Sequence, residues 1–168
     1  MLKHNSAVKM KLFTTILIAC LFITTAGMAQ SHTKEEVTQV IQDIFDGMRA
    51  GDSTRVAGHF FRSATMSSIS VDNSGNPVIR PGSLQGWLNA IGTPREDILD
   101  ERLWDIEVRI DGNLATVWTM YALYIGSNYS HCGVDAFQLF YNGSQWKVFH
   151  VADTRRKECE IPDEVRNN

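Results

Sequence analysis

Apolar positions along the chain follow a helical period in the first half and a strand period in the second. Val37, Val40, Ile41, Ile44, Phe45 and Met48 recur at three- and four-residue spacing, which places them on one stripe of a helix. Thr33-Lys34-Glu35-Glu36 precedes them in capping-box order and Gly51 follows, so the spacing predicts a helix between these signals. Asp52 can cap a shorter helix carrying Val56, His59 and Phe60. Ser83 can cap a third, with Leu84, Trp87, Leu88 and Ile91 on one face, closed by Gly92 and Pro94. Between the second and third helices, 64–71 reads as a strand, 72–76 as a turn and 77–80 as a short return strand. From Leu103 the period falls to two: 103–110 and 114–125 flank Asp111-Gly112, and 134–141 and 145–151 flank Asn142-Gly143, both strong hairpin signals. This order predicts an α+β domain, a cone of three N-terminal helices packed on a strongly curved antiparallel sheet, with a pocket at its open end.

Two-residue loops would fix the strand registers. Around Asp111-Gly112, Ile110 then pairs with Asn113, Val108 with Ala115, Ile106 with Val117 and Trp104 with Thr119. Around Asn142-Gly143, Leu139 pairs with Trp146, Phe137 with Val148 and Asp135 with His150. A carboxylate beside an imidazole raises the histidine pKa and orients the ring, which suits a general acid/base pair. The same pair can instead line a binding pocket without chemistry, or satisfy two polar groups in a core. Tyr121 and His131 join this face, Trp87, Trp104 and Phe137 supply apolar walls, and His59 borders it from the end of the second helix. His59, His131, Asp135 and His150 are metal-ligand types without ligand spacing, so neither a metal nor a cofactor is expected. Cys132 follows His131, but neighbouring strand residues point to opposite faces, which argues against a cysteine–histidine nucleophile. Trp118, Met120 and Tyr124 make an apolar stripe on the other face, the expected contact of a homodimer.

The N-terminus adds an address. Lys3, Lys9 and Lys11 precede an uncharged apolar run over 12–26, and Gly27 and Ala29 stand at the −3 and −1 positions of a cut before Gln30. These are the parts of a secretory signal, so residues 1–29 are read as the signal and 30–168 as the domain, periplasmic or secreted. Met10 is an alternative initiator, and Leu17-Ile18-Ala19-Cys20 offers lipid anchoring through Cys20 as the alternative to cleavage. The apolar run is short of the roughly 20 residues that span a membrane. Net charge is −3 with Lys and Arg scattered, which gives no nucleic-acid footprint. Cys132 and Cys159 survive cleavage, and an oxidising compartment permits a disulfide between them if the tail after Thr154 doubles back.

Three segments carry a family resemblance: Val37 to Ala50 followed by Gly51-Asp52; His59-Phe60-Phe61 leading into Ala64-Thr65-Met66; and Ser130 to Phe140 with Trp146-Lys147-Val148 and His150 to Arg156. They resemble the nuclear-transport-factor-2-like (NTF2-like) superfamily, which includes ketosteroid isomerase, scytalone dehydratase and polyketide-cyclase-like (SnoaL-like) proteins. They are similar to its exported bacterial members labelled lumazine-binding-like. The resemblance implies the α+β cone and its pocket, and leaves activity open because the fold hosts enzymes, binders and scaffolds. The tyrosine and aspartate that the isomerase carries on its helices have no counterpart, since the first helix turns Phe45 and Met48 inward. The expected function is binding of a small, partly aromatic molecule. The alternatives are an enzyme of the isomerase or dehydratase type using Asp135 and His150, and a dimeric scaffold without a ligand.

Overall fold

The computed structural model describes residues 31–167. The signal, its cut before Gln30, Met10 and Cys20 lie outside the described residues. Helix α1 (Lys34–Arg49) starts as its capping box requires: Glu36 N donates to Thr33 Oγ1 at 3.2 Å, and Thr33 N donates to Glu36 Oε2 at 3.3 Å. Helix α2 (Ser53–Gly58) is capped by Asp52 and packs on α1. A Cβ at Gly47 would come within 2.8 Å of Val56 Cγ2, so the elbow between the two helices needs a glycine there. Strands β1 (Phe60–Val71) and β2 (Pro77–Gly82) form the short hairpin, and α3 (Leu84–Gly92) follows from its Ser83 cap. Strands β3 (Leu99–Asp111), β4 (Leu114–Ile125), β5 (Asn128–Tyr141) and β6 (Trp146–Thr154) complete the sheet, and a short α4 (Asp163–Arg166) lies near the C-terminus. Val37, Ile41 and Ile44 of α1 are fully buried in one core with Val117, Leu139 and Val148 of the sheet.

The sheet has six strands in the order β2-β1-β6-β5-β4-β3. It is mixed, because β1 runs parallel to β6, and it is not the strongly curled antiparallel cone expected from the order of elements. Strand periodicity shows which residues share a face but carries no information on which edge a strand joins or in which direction.

Both hairpin registers differ from expectation. Asp111 pairs with Leu114, so Gly112-Asn113 makes the first turn, and Val108 faces Val117. Tyr141 pairs with Trp146 across a connection spanning 142–145, held by Asn142 Oδ1, which accepts from the backbone N–H groups of Ser144 and Gln145 at 3.0 Å each. Each long hairpin then contains a bulge. In β3 the register shifts between Trp104 and Glu107, where Asp105 takes φ 50°. Buried Thr119 donates its hydroxyl to the Trp104 carbonyl at 2.9 Å, giving that acceptor a partner beside the disrupted ladder. In β6 the shift falls at Phe149: Leu139 pairs with Val148, whereas Gln138 pairs with His150. One extra residue reverses which side chains face the core beyond it.

The tail after β6 returns over the outer sheet face. Arg156 exchanges backbone hydrogen bonds with Cys132 at 2.8 and 3.0 Å, so the tail doubles back and sets Arg156 opposite Cys132, and Cys132 is joined to Cys159 with a Cα–Cα distance of 6.3 Å. Arg102 donates to the carbonyls of Val165 and Arg166 and stacks 4.2 Å from the Tyr124 ring centroid. Tyr124 is consequently buried beneath the tail, in a second cluster with Trp104, Cys159 and Ile161. This corrects the outer stripe: Trp118 is 53% exposed, but Tyr124 is not free to meet a partner.

Candidate functional site

A cavity of about 390 Å³ lies between the helices and the sheet. Phe45 and Met48 of α1, Trp87 of α3, and Leu99, Leu123, Phe137 and Val151 of the sheet give it apolar walls. Its charged and ring-bearing polar lining comes from the sheet, Glu101, Tyr121, His131, Asp135 and Asp153, with Arg155 following β6; Ser67 and Ser68 of β1 and Ser83 at the α3 cap add hydroxyls.

Three of these are acids on three strands. The β5–β6 register sets Asp135 opposite Asp153, and the β3 bulge turns Glu101 toward the same cavity. Asp153 is well satisfied. Arg155 Nε donates to its Oδ2 at 2.7 Å, Ser68 Oγ donates to its Oδ1, and the Tyr121 hydroxyl lies 3.5 Å away while donating to the Thr154 carbonyl at 3.0 Å. Asp135 is different. It is 5% exposed, and no donor among the described residues reaches its Oδ2. Its hydrogen-bond partner is the Glu101 carboxyl.

Two carboxylates can bond to each other only through a proton, so this pair holds one between them. Burial raises the Glu101 pKa to about 7, the hydrogen bond from Asp135 opposes the rise, and the charge of Asp153 adds to it. Burial also lifts Asp135 well above its ordinary value, with the Glu101 charge and the bond to Glu101 in the same direction. Asp135 is therefore the donor and Glu101 the acceptor. Burial, followed by the charges of Glu101, Asp135 and Asp153, raises the Tyr121 pKa, which keeps that hydroxyl protonated. Burial lowers the His131 pKa, and the charge of Arg155 lowers it further, so its ring is neutral at pH 7. It packs edge-on against Tyr121 with centroids 5.7 Å apart.

The structure places Asp135, Tyr121, His131, Phe137 and Trp87 in the cavity lining. It separates Asp135 from His150. The later turn and the Phe149 bulge move His150 to the other face, opposite Gln138, with Nδ1 2.7 Å from Thr65 Oγ1. The proposed acid/base pair of Asp135 and His150 is thus not formed. Trp104 is likewise displaced, because the Asp105 bulge turns it into the cluster under the tail. His59 follows α2 as its C-cap with Nε2 3.9 Å from Asp43 and does not line the cavity. Burial lowers its pKa, which Asp43 opposes. Among the described residues no group of His, Cys, Asp and Glu is arranged to hold a metal ion.

The sequence reading missed Glu101, Asp153, Arg155 and Ser68. A signal for Glu101 was present: Leu99, Glu101 and Leu103 alternate, so an acid shares a face with two apolar residues. Starting that strand at Leu103 hid the pattern. Val151, Asp153 and Arg155 alternate in the same way, and the Phe149 bulge, which leaves no mark in composition, decides which face they take.

The family described as "Putative lumazine-binding" matches residues 32–151. No curated protein matches the chain. Solved structures with the same fold include an NTF2-like protein of unknown function from Shewanella baltica, 18% identical, with a TM-score of 0.58 over 76% of this chain and 100% of that one. An NTF2-like protein from Cytophaga hutchinsonii is 12% identical, with a TM-score of 0.58 over 75% and 100%. A "Putative Scytalone Dehydratase" from Novosphingobium aromaticivorans is 13% identical, with a TM-score of 0.58 over 76% and 88%. At these identities the likeness shows the fold.

Proposed function

Because the chain belongs to the NTF2-like family described as "Putative lumazine-binding", we propose that it binds a small, flat heteroaromatic molecule in the cavity between the helices and the sheet. The observation that carries this reading is a pair of acids at the wall of a cavity whose other walls are largely apolar and aromatic. Pockets for small molecules combine such apolar walls with a few placed polar groups, in volumes of about 300–1,000 Å³. The 390 Å³ cavity falls in this range. Phe45, Phe137 and Trp87 offer ring faces and edges to a flat ligand, and the carboxyl pair fixes which edge of the ligand points at the sheet. The signal-like N-terminus and the Cys132–Cys159 bridge support a working place outside the cytoplasm.

Lumazine itself is the first probe. Its fluorescence anisotropy, followed as protein is added, should rise to saturation at one site. Trp87→Ala should weaken the binding about tenfold, the equivalent of about 1.4 kcal/mol. Anisotropy that stays flat up to millimolar protein, for lumazine and for other flat bicyclic heteroaromatics, rejects the reading.

The Glu101 pKa near 7 supports a second reading. A carboxyl that titrates there can give and take a proton at neutral pH, as an enzyme of the isomerase or dehydratase type requires. On this reading Glu101 and Asp135 replace the Asp135–His150 pair as the acid/base machinery. Turnover of a bound ligand that disappears in Glu101→Gln while binding persists would select it.

A further inference from the structure

The donors and acceptors that line the cavity are unevenly spent. Three of its side-chain donors converge on one corner: Ser68 Oγ and Arg155 Nε both donate to Asp153, and the Tyr121 hydroxyl, which lies beside Asp153, is committed to the Thr154 carbonyl. His131 Nδ1 is engaged with Ser130 Oγ at 2.9 Å and its ring stays neutral, so it adds no charge. The helices contribute no charged group to the lining. What remains open is acceptor capacity, at Asp135 Oδ2 and at Glu101. Asp135 lines the cavity and is 5% exposed, so this acid is held at the cavity wall away from bulk water. The positive charge of the lining, Arg155, has a side chain 55% exposed and bonded to Asp153; its charge favours the ionised inner acids, but burial outweighs it.

We propose that the ligand presents to Glu101 and Asp135 an edge rich in hydrogen-bond donors and carrying positive charge, of the amidine or diaminopyrimidine kind, and that this edge displaces the proton the two acids share. The inference rests on the binding reading above and narrows it to a chemical class. An amidinium presents two N–H groups in one plane, which two carboxyl oxygens accept in parallel. The dione edge of lumazine sets a single N–H between two carbonyl oxygens, so it offers one donor, flanked by acceptors that face the carboxyl oxygens unfavourably. The exchange balances: the cation enters, the proton leaves to solvent, and the charge within the cavity is unchanged.

Two pteridines with the same rings and different edges test it, 2,4-diaminopteridine and lumazine, each titrated calorimetrically into the protein at pH 7. Benzamidine, which enters already charged, is titrated in two buffers of different ionisation heat to count protons. The diamino compound should bind at least about tenfold tighter than lumazine, and benzamidine binding should release about one proton. In both Asp135→Asn and Glu101→Gln the preference should shrink toward equality. Lumazine binding as tightly as the diamino compound overturns the inference and leaves the binding reading standing. A preference unchanged in both variants overturns the assignment to this pair. Failure of all three probes to bind removes both. Should neither variant fold, the wild-type affinity ratio and proton count decide the question.

Discussion

Glu101 and Asp100 are neighbours in β3 with opposite electrostatic fates, and together they set a pH profile. Burial pushes the Asp100 carboxyl up, but Arg102 at 2.7 Å and Arg49 at 2.7 Å outweigh it and hold its pKa below the ordinary value. A lowered acid contributes stability above its unfolded pKa, and that contribution fades as the pH falls through its folded pKa. Glu101 works the other way. Its folded pKa of about 7 exceeds its unfolded value of 4.5, so its proton favours the folded state only at low pH. The contribution is whole below about 4.5 and is lost as the pH climbs through about 7. Stability should therefore peak near pH 5 and fall toward pH 8. Glu101→Gln should flatten the alkaline limb and raise stability at pH 8 by a few kcal/mol, the scale of the shift. Thermal melts from pH 4 to 9 check this, and an unchanged alkaline limb in the variant would show that Glu101 is not the titrating group. Individual pocket residues were legible in the sequence where they lie on an uninterrupted strand: Tyr121, His131, Asp135 and Phe137 keep their face because β4 and β5 are regular between them.

Beyond a bulge the sequence reading failed, at the scale of the element. Alternation identified β3 through β6, and capping residues marked the starts of α1, α2 and α3. Nothing in Trp104-Asp105-Ile106 or Phe149 announces an extra residue, yet each insertion decides which acid faces the cavity. The Asp105 bulge offers a direct test. Its φ of 50° lies in the left-handed region, which glycine enters freely and a β-branched residue does not. Asp105→Gly should leave stability within about 1 kcal/mol of wild type, whereas Asp105→Val should cost roughly 1–2 kcal/mol. Urea unfolding midpoints measure both. Deleting Asp105 removes the face reversal, turning Glu101 away from the cavity and Trp104 toward it. The deletion variant, if folded by circular dichroism, should lose ligand binding while its β4–β5 pairing persists. Retained affinity would show that the bulge does not position the site. Gly133 is a second fixed point of this region, because a Cβ there would collide with the Thr154 carbonyl and lie 2.8 Å from Tyr121 Cε1. Gly133→Ala should disturb the Tyr121–Asp153 corner more than any alanine on the outer face.

For the molecule as a whole, the tail and the cavity share β5. Cys132 is held to Cys159 immediately before Tyr121's cross-strand partner, Gly133, and the returning tail covers Trp104 and Tyr124. The bridge closes a loop with a sequence separation of 27, for which chain entropy gives roughly 3–4 kcal/mol. Non-reduced protein should be two hydrogens lighter than reduced protein by mass spectrometry. Cys159→Ser should lower stability by about that amount and increase amide exchange over 156–166. Equal masses would exclude the bridge. The α+β class was legible because helical and strand periods separate cleanly along the chain, while the parallel β1–β6 pairing was not, since it depends on contacts far apart in sequence.

The chemistry assigned to the cavity depends on one proton held between the half-buried Glu101 carboxyl and the buried Asp135 carboxyl. The direct measurement is a carbon-13 NMR titration of the side-chain carboxyl carbons of Glu101 and Asp135, in wild type and in Asp135→Asn. The wild-type Glu101 carboxyl should titrate near 7, with Asp135 still protonated there, and the Glu101 midpoint should move when Asp135→Asn removes the acid that donates to it. Two carboxyls titrating independently near pH 4 would contradict the shared proton, and with it the chemistry assigned to the cavity.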